Sequence, residues 1–288
     1  MSAQIGITDI VSQHVDKVSG WKLFVQTVIA RAYPRVIGQQ REKSWMFFDV
    51  VLPLLGVCSY VFVYRAIGAP EDYIGFVVVG GAMIAFWMNV LWSMSSQLYW
   101  EKEQGNLALF ILAPGPMMAI LLGMALGGLV ATTLRALAIM VLGTWFFNVQ
   151  YSVASFPHLF AVFFLTMVAL YGMGMMLASL FLLLSREAWH LSNLATEPVF
   201  LVSGFYFPIK SLNFWVAAAA SLLPLTLGMD AMRQLVFASG PSLGFISVPL
   251  EIIILVGLSV VFLVGARALL SHMEKLAIRE GRLTENRR

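Results

Sequence analysis

The segment 99–116 carries the residues with the clearest potential for chemistry, because it is a polar stretch between two long apolar ones. A charged cluster is followed by a Gly-Asn turn signal and by a short apolar helix pattern that Pro114 and Pro116 end. A short apolar helix beside charged side chains is typical of an element that fits a groove on a partner protein, and Gly105 is expected to supply the backbone freedom of the turn. We predict a contact surface for a separate cytoplasmic protein, with a solvated loop as the alternative. The candidate contact residues are Glu101, Lys102, Glu103, Gly105, Asn106 and Leu107.

Two charged residues lie within apolar stretches that are long enough to cross a membrane. An arginine at a helix centre costs about 2.5–3.5 kcal/mol on insertion scales, so Arg135 should face protein or water. Its expected depth favours Glu251 as its partner, and the alternative is an arginine that reaches the outer surface. Glu197 precedes Pro198, which removes a backbone hydrogen bond, so this pair is a candidate gate; a tolerated kink is an equally good interpretation.

A third group of candidates is aromatic and lies in the segment 203–233. Gly204, Pro208 and Pro224 prevent one continuous helix there, yet the segment is too apolar to stay in water. We predict short re-entrant helices within an external segment, 209–249, that acts as an external gate. The alternative is a surface hairpin that only anchors its neighbours. The gate or path candidates of this segment are Phe205, Tyr206, Phe207, Phe214 and Trp215.

The residue types that catalysis or metal binding requires do not form a set in this sequence. The four histidines are scattered, the single cysteine, Cys58, lies in an apolar run, and we find no nucleophile, base and orienting group. The phosphate-binding pattern G-x-x-x-x-G-K-[ST] is absent. We therefore predict that the chain is not an enzyme and that it holds no cofactor and no metal.

The composition indicates a membrane protein that positions these candidates on helices. Of 288 residues, 60% are hydrophobic and 11% are charged, and the mean hydropathy is +0.84; soluble domains have about 25% charged residues. The net charge of +3 is too mild to predict nucleic-acid binding. We expect no removable signal peptide in the first 45 residues. The predicted fold class is an all-α polytopic membrane protein.

Six apolar stretches are predicted to span the membrane, since a span needs about 20 residues to cross roughly 30 Å. They are residues 46–64, 74–98, 117–147, 156–184, 190–208 and 248–270, within a transmembrane domain of residues 46–270. In the amino-terminal region, 1–45, residues 17–33 have an amphipathic pattern that predicts a helix in the membrane interface, ended by Pro34. The alternative is a helix packed on a soluble neighbour.

The distribution of Lys and Arg predicts the orientation. With both termini in the cytoplasm, fourteen of the 18 basic residues are cytoplasmic, three are external and Arg135 is within a span. This orientation predicts a multi-pass protein of the cell (inner) membrane. Segment 99–116 and the tail, 271–288, are then cytoplasmic.

Three parts of the chain carry a resemblance to a known family. One is the basic run before the first span, Arg31, Arg35 and Arg41, with Trp45 and Pro53. Another is 101–107 together with Ala-Pro at 113–114. In this part of the chain, Asn106 stands where the family has Thr, and Ala108 stands where the family has an acidic residue. The most specific is Ser-Gly-Phe-Tyr-Phe-Pro at 203–208, with Leu-Pro-Leu-Thr at 223–226 and Ala-Met-Arg at 231–233. Over residues 31–270 the chain resembles the membrane (permease) subunit of type-2 ABC exporters.

The resemblance implies partners and an activity. Two such subunits, identical or different, would assemble in the lipid bilayer with two cytoplasmic ABC ATPase subunits, and ATP and Mg would bind to the ATPases. The implied function is ATP-driven export of a drug-like molecule, a lipid or a glycan, and polysaccharide or lipid-linked glycan export is the main alternative. An ion-coupled carrier or channel is another class, which predicts charged pairs at the midplane of several spans; only Arg135 and Glu197 qualify.

Overall fold

The computed structural model describes residues 20–113, 115–184, 187–238 and 244–280. These residues form helices joined by turns, and an isolated β-bridge pairs Ser152 with Phe237. The α-helices are α1 Gly20–Arg41, α2 Lys43–Ala66, α3 Asp72–Met88, α4 Gln97–Glu103, α5 Leu107–Leu112, α6 Met117–Phe147, α7 Phe156–Leu184, α8 Glu187–Val202, α9 Phe214–Ala220, α10 Pro224–Val236 and α11 Val248–Glu280.

The predicted fold class is confirmed: the chain is an all-α polytopic membrane protein. Five helical segments are long and apolar enough to cross a membrane, namely Met46–Ala66, Asp72–Glu103, Met117–Phe147, Phe156–Phe181 and Val248–Met273. A sixth span is possible if α9 and α10, which are bent by 107° at their junction, count as one. The bend agrees with the expectation of broken helices in this segment.

The fifth predicted span, 190–208, differs from its helix. Helix α8 has 16 residues and ends at Val202, which is short of the roughly 20 residues that a span needs. The helix ends there because Gly204 has φ +72°, a left-handed conformation that glycine adopts readily and that interrupts helical geometry. The six residues that were expected to complete the span instead form a turn toward the core.

The amino-terminal helix also differs from its predicted form. Helix α1 continues through Pro34 to Arg41, so the prediction that Pro34 ends it was wrong. A proline removes only one helical hydrogen bond, and the turns on either side of it pack against α6. A Cβ at Gly123 would lie 2.5 Å from the carbonyl oxygen of Val28, and one at Gly127 would lie 2.8 Å from that of Ala32. The two glycines therefore let the backbones of α1 and α6 approach closely.

The core of the chain is built around α3. Every residue from Ile74 to Trp87 is buried, and α2, α6 and α10 pack around this helix. Helix α7 reaches it through Phe163, whose ring centroid lies 5.7 Å from that of Phe86. Helix α11 packs mainly on α7. By contrast, α2 and α11 bury little of their apolar surface within the chain, so most of it is available to lipid or to another subunit.

A six-residue π-helix, Asn89–Met94, joins α3 to α4. The backbone N–H of Ser95 donates to the carbonyl of Val90 at 2.9 Å, and the Ser95 hydroxyl donates to the same oxygen at 2.8 Å. The wider turn shifts the register of the helix. Its polar side chains contact α1 and α7, because Ser93 Oγ accepts a hydrogen bond from Arg35 and Asn89 Oδ1 accepts one from the Tyr171 hydroxyl. Such segments are frequent at functional sites.

Candidate functional site

The turn between α4 and α5 is set by Gly105. This residue has φ +78°, its N–H donates to the carbonyl of Lys102 at 3.0 Å, and the N–H of Asn106 donates to the carbonyl of Glu101 at 2.9 Å. Both hydrogen bonds together form a Schellman motif, which ends a helix at a left-handed residue. The predicted role of Gly105 in the turn agrees with this geometry.

Glu101 faces the interior of the chain rather than the solvent. Its Oε1 accepts hydrogen bonds from Arg31 Nη2 at 3.1 Å and from Gln97 Nε2 at 3.0 Å, and its Oε2 accepts from Asn106 Nδ2 at 3.0 Å. Glu101 is only 8% exposed. Its carboxylate therefore fixes the loop to α1 and is not itself part of an outward surface.

The other residues of the predicted contact surface differ in how far their side chains are exposed to solvent. Leu107 is buried, whereas Lys102 is half-buried and Glu103 is exposed. Leu109, which was not among the candidates, is 64% exposed. The outward surface of the loop consequently centres on Lys102, Glu103 and Leu109.

Arg31 joins α1 to both short helices. Besides its ion pair with Glu101 on α4, its guanidinium carbon lies 4.0 Å from the centroid of the Phe110 ring on α5. A cation in this position is attracted by the ring face. Thr27, one turn earlier on α1, lies against Gly115, where a Cβ would come within 2.6 Å of the threonine hydroxyl.

Arg35 extends the same contacts one turn further along α1. Its Nη1 donates to Gln97 Oε1 at 3.0 Å and its Nη2 to Ser93 Oγ at 2.5 Å. Desolvation by the surrounding protein lowers the pKa of Arg35 to about 10, so the guanidinium stays charged at neutral pH. Gln97 links the two arginines, because its oxygen accepts from Arg35 while its nitrogen donates to Glu101.

A cavity of about 780 Å³ lies beside this network. Its wall combines amides and hydroxyls with aromatic rings and aliphatic side chains. It is lined by Gln39, Glu42, Phe48, Asp49, Leu52, Pro53, Ile84, Ala85, Met88, Asn89, Trp92, Ser93, Ser96, Gln97, Trp100, Arg135, Phe200 and Tyr206. Ser93 and Gln97 belong to both the cavity wall and the hydrogen-bond network. The sequence does not reveal this cavity, because its lining comes from six α-helices, the π-helix and the turns between them.

Arg135 lines the cavity and pairs with Asp49, not with Glu251 as expected. Its Nη1 lies 2.5 Å from Asp49 Oδ2. Helix α2 packs on α6 and brings Asp49 to the same level, whereas Glu251 is held by Gln234 Nε2 at 3.2 Å on α10. The signal for the correct partner was present, because Asp49 is an acidic residue inside the first predicted span.

The structure separates the gate candidates. Tyr206 lines the cavity and Phe205 is fully buried behind it. Phe207 is half-buried, and Glu197 and Pro198 are exposed on α8 and do not line the cavity. Phe214 and Trp215 are exposed on α9, at 62% and 78%. Of the gate or path candidates, Arg135 and Tyr206 therefore line the cavity, and Phe205 packs behind Tyr206.

Arg233 is a residue whose role the sequence analysis missed. It was counted as an external charge, yet it is 2% exposed and donates to three backbone carbonyls, those of Gly204, Phe205 and Phe76. The only sequence signal was its place in the Ala-Met-Arg motif at 231–233.

Comparison with known proteins places these elements in a family. A family model described as "ABC-2 type transporter" matches residues 25–237, from α1 to the residue after α10. Two proteins named "Probable multidrug ABC transporter permease YbhR", from Escherichia coli K12 and from Escherichia coli O157:H7, are each 25% identical to this chain over 168 residues. The alignment covers 57% of this chain and 44% of each relative, so the chain matches less than half the length of these proteins. The resemblance found in the sequence is confirmed, and the chain belongs to the ABC-2 type transporter family.

Proposed function

We propose that this chain is the transmembrane subunit of an ATP-driven exporter that moves small amphipathic molecules out of the cytoplasm. The observation that carries the proposal is the hydrogen-bond network through which a partner-facing loop contacts a cavity of drug-like size. Two copies of the chain, or this chain and a related one, would form the path in the cell membrane, with both termini in the cytoplasm. The family membership and the multidrug permease named among the relatives support this assignment.

The cavity supports a small cargo. Sites for drug-sized ligands have volumes of roughly 300–1,000 Å³ and combine apolar walls with a few polar groups, and this cavity has about 780 Å³. Aromatic side chains such as Phe48 and Phe200 offer apolar contact, while Gln39, Asn89 and Ser96 offer hydrogen bonds. A molecule with one apolar and one polar side matches this wall better than a long polar glycan chain, which needs a continuous polar groove.

The energy would come from a separate ATPase subunit that binds ATP and Mg. Lys102, Glu103 and Leu109 form the outward surface of the α4–α5 loop, and an exposed leucine flanked by charges suits a groove with a polar rim. We propose that one ATPase docks on this surface in each of the two permease copies.

The network beneath the loop supplies a route from the ATPase to the cargo. Phe110 contacts Arg31, Arg31 pairs with Glu101, and Gln97 connects Glu101 to Arg35. A displacement of α5 by the ATPase would therefore be transmitted to Ser93 and Gln97 in the cavity wall. The hydrogen bonds to charged groups in such a network are worth about 1.5–3 kcal/mol each when well made, enough to move α1 and the loop together.

The proposal is tested by filling the cavity. Met88→Trp would occupy it from α3, and Leu137→Trp is a matched control because Leu137 is 54% exposed on α6. Both variants, with the ATPase, are tested in inside-out vesicles for ATP-dependent uptake of a panel of fluorescent amphipathic dyes. We expect uptake of at least one dye by the parent and the control, and loss of uptake by Met88→Trp. If the parent takes up no dye, or if Met88→Trp transports as well as the parent, the proposed cargo and its site are wrong.

A further inference from the structure

The Arg233 side chain makes an unusual set of contacts for a buried cation. Its Nη1 donates to the carbonyl of Gly204 at 2.5 Å, and its Nη2 donates to the carbonyls of Phe205 at 2.6 Å and Phe76 at 2.8 Å. Its guanidinium carbon also lies 5.1 Å from the centroid of the Phe76 ring. Arginine suits this position because its planar fork presents several donors in fixed directions. Arg233 thus joins α10 to α3 and to the turn after α8.

This arrangement fixes the turn after α8 against α3. A Cβ at Gly80 would lie 1.7 Å from the carbonyl oxygen of Phe205, so the chain crosses α3 where α3 has no side chain. The Phe205 ring is fully buried and meets the Phe200 ring edge to face, with centroids 5.4 Å apart. With Arg233 on one side and Gly80 on the other, the backbone at 204–205 has no room to shift.

The next residue, Tyr206, is part of the cavity wall. Its ring stacks on Tyr60 of α2 with centroids 3.9 Å apart, and its carbonyl accepts a hydrogen bond from the Tyr64 hydroxyl at 2.8 Å. In the helical segment 72–103, the residues that line the cavity begin at Ile84 and end at Trp100. Phe205 lies at the level of Gly80, one turn before Ile84. Tyr206 is consequently at the end of the cavity away from the partner-facing loop.

We propose that Arg233 is the positioning residue of an outer closure: it holds Gly204 and Phe205 so that Tyr206 seals the external end of the cavity against α2. The proposal rests on the orientation given in the proposed function, in which the α4–α5 loop is cytoplasmic. It adds that the closure depends on a guanidinium that neither lines the cavity nor touches the cargo. Release of Tyr206 from Tyr60 and Tyr64 is then the movement that opens the cavity to the outside.

The test measures access of a thiol reagent from outside. Ala85→Cys, in a Cys58→Ser background, places a small thiol in the cavity wall. Whole cells that contain the full chain are treated with a charged, membrane-impermeant methanethiosulfonate. We expect Ala85→Cys to be protected in the parent and to react at least tenfold faster when Arg233 is replaced in Arg233→Gln. Arg65→Gln is the matched control, because Arg65 is an exposed arginine at the end of α2, and it should leave the thiol protected.

Three further variants keep the test decisive. Tyr206→Ala removes the seal itself and should give the same external reaction, whereas Tyr206→Phe keeps the stacked ring and should remain protected. If Arg233→Gln does not accumulate in the membrane, Arg233→Lys replaces it: a lysine keeps the charge but cannot span three carbonyls, so we expect an intermediate rate. An Arg233 variant that accumulates and stays as protected as the parent would overturn the proposal, and so would rapid external reaction in the parent.

The outcome is independent of cargo identity. Thiol access requires neither a transported molecule nor ATP hydrolysis, so a failed dye assay with an intact closure would reject the proposed cargo alone. Conversely, dye export with an unprotected parent thiol would reject the closure and leave the exporter assignment standing. A Gly105→Cys variant in the same background should react only in opened cells, which checks the orientation on which the closure rests.

Discussion

The guanidinium of Arg31 and the carboxylate of Glu101 are 70 residues apart in sequence and form an ion pair with an N–O distance of 3.1 Å. The side chains are 30% and 11% exposed, so the pair is largely screened from bulk water. The pair lies where α1 meets α4, which ends the second span, and α5, which carries Phe110. Its partial burial means that removal of one partner leaves a poorly solvated charge.

The first prediction follows from the burial of Glu101. Glu101→Ala removes the acceptor for Arg31, Gln97 and Asn106, and should destabilise the subunit by about 1–3 kcal/mol because buried donors lose their partner. Glu103→Ala is the matched control, since Glu103 is exposed two residues away. We expect a lower thermal unfolding temperature of the purified subunit for Glu101→Ala only. Equal unfolding temperatures for the two variants would show that Glu101 is an ordinary loop residue.

The second prediction concerns the outward surface of the loop. Leu109→Ala should weaken binding of the cognate ATPase about tenfold, because truncation of an apolar anchor costs roughly 1.4 kcal/mol or more. Leu134→Ala is the control, as Leu134 is also an exposed leucine but lies on α6. The measurement is the dissociation constant of each variant for the purified ATPase. The surface is wrongly assigned if both variants bind as tightly as the parent.

The third prediction concerns the ion pair in the cavity wall. Arg135→Ala leaves the Asp49 carboxylate beside an apolar stretch, and should lower the unfolding temperature of the subunit. The double variant with Asp49→Ala should recover part of this loss, because neither charge remains unpaired. A double-mutant cycle reports the coupling, for which contacting residues give about 0.5–3 kcal/mol. The same cycle with Glu251→Ala in place of Asp49→Ala should give no coupling, and an additive Asp49 cycle would refute the pair.

Much of the fold was predictable because membrane helices have a simple sequence signature. The third and fourth predicted spans, 117–147 and 156–184, have the same bounds as α6 and α7. Hydrophobic length alone determines such elements. It does not determine where a helix ends when tertiary contacts compete, which is why α1 passes through Pro34 and α8 stops at Val202.

The candidate site was less predictable because contacts between distant residues decide it. Glu101 was expected to face a partner protein, but Arg31 and Gln97 hold it inside. The charge of Arg233 indicated an external residue, whereas three backbone carbonyls provide acceptors that a sequence does not reveal. In contrast, the backbone freedom expected of Gly105 is used in the structure, because a left-handed turn depends on local backbone geometry.

The last prediction tests whether the close approach of α1 to α6 supports the network beneath the loop. A Cβ at Gly123 would lie 2.5 Å from the Val28 carbonyl oxygen and 2.8 Å from Arg31 Cβ, so Gly123→Ala must push α1 away. Overpacking of this kind costs about 1–3 kcal/mol, which exceeds the roughly 0.5–1 kcal/mol that alanine gains over glycine in a helix. We expect a lower unfolding temperature and weaker ATPase stimulation, because the displacement stretches the Arg31–Glu101 pair.

Gly257→Ala is the matched control for this prediction. It is also a glycine within a long membrane helix, α11, but an added Cβ there meets nothing within 4 Å. The intrinsic helix preference of alanine acts on both variants, so the difference between them isolates the contact with α1. Gly257→Ala should unfold at the same or a slightly higher temperature and leave ATPase stimulation unchanged. If Gly123→Ala behaves like Gly257→Ala in both measurements, α1 does not depend on this contact, and the network must be held by the loop alone.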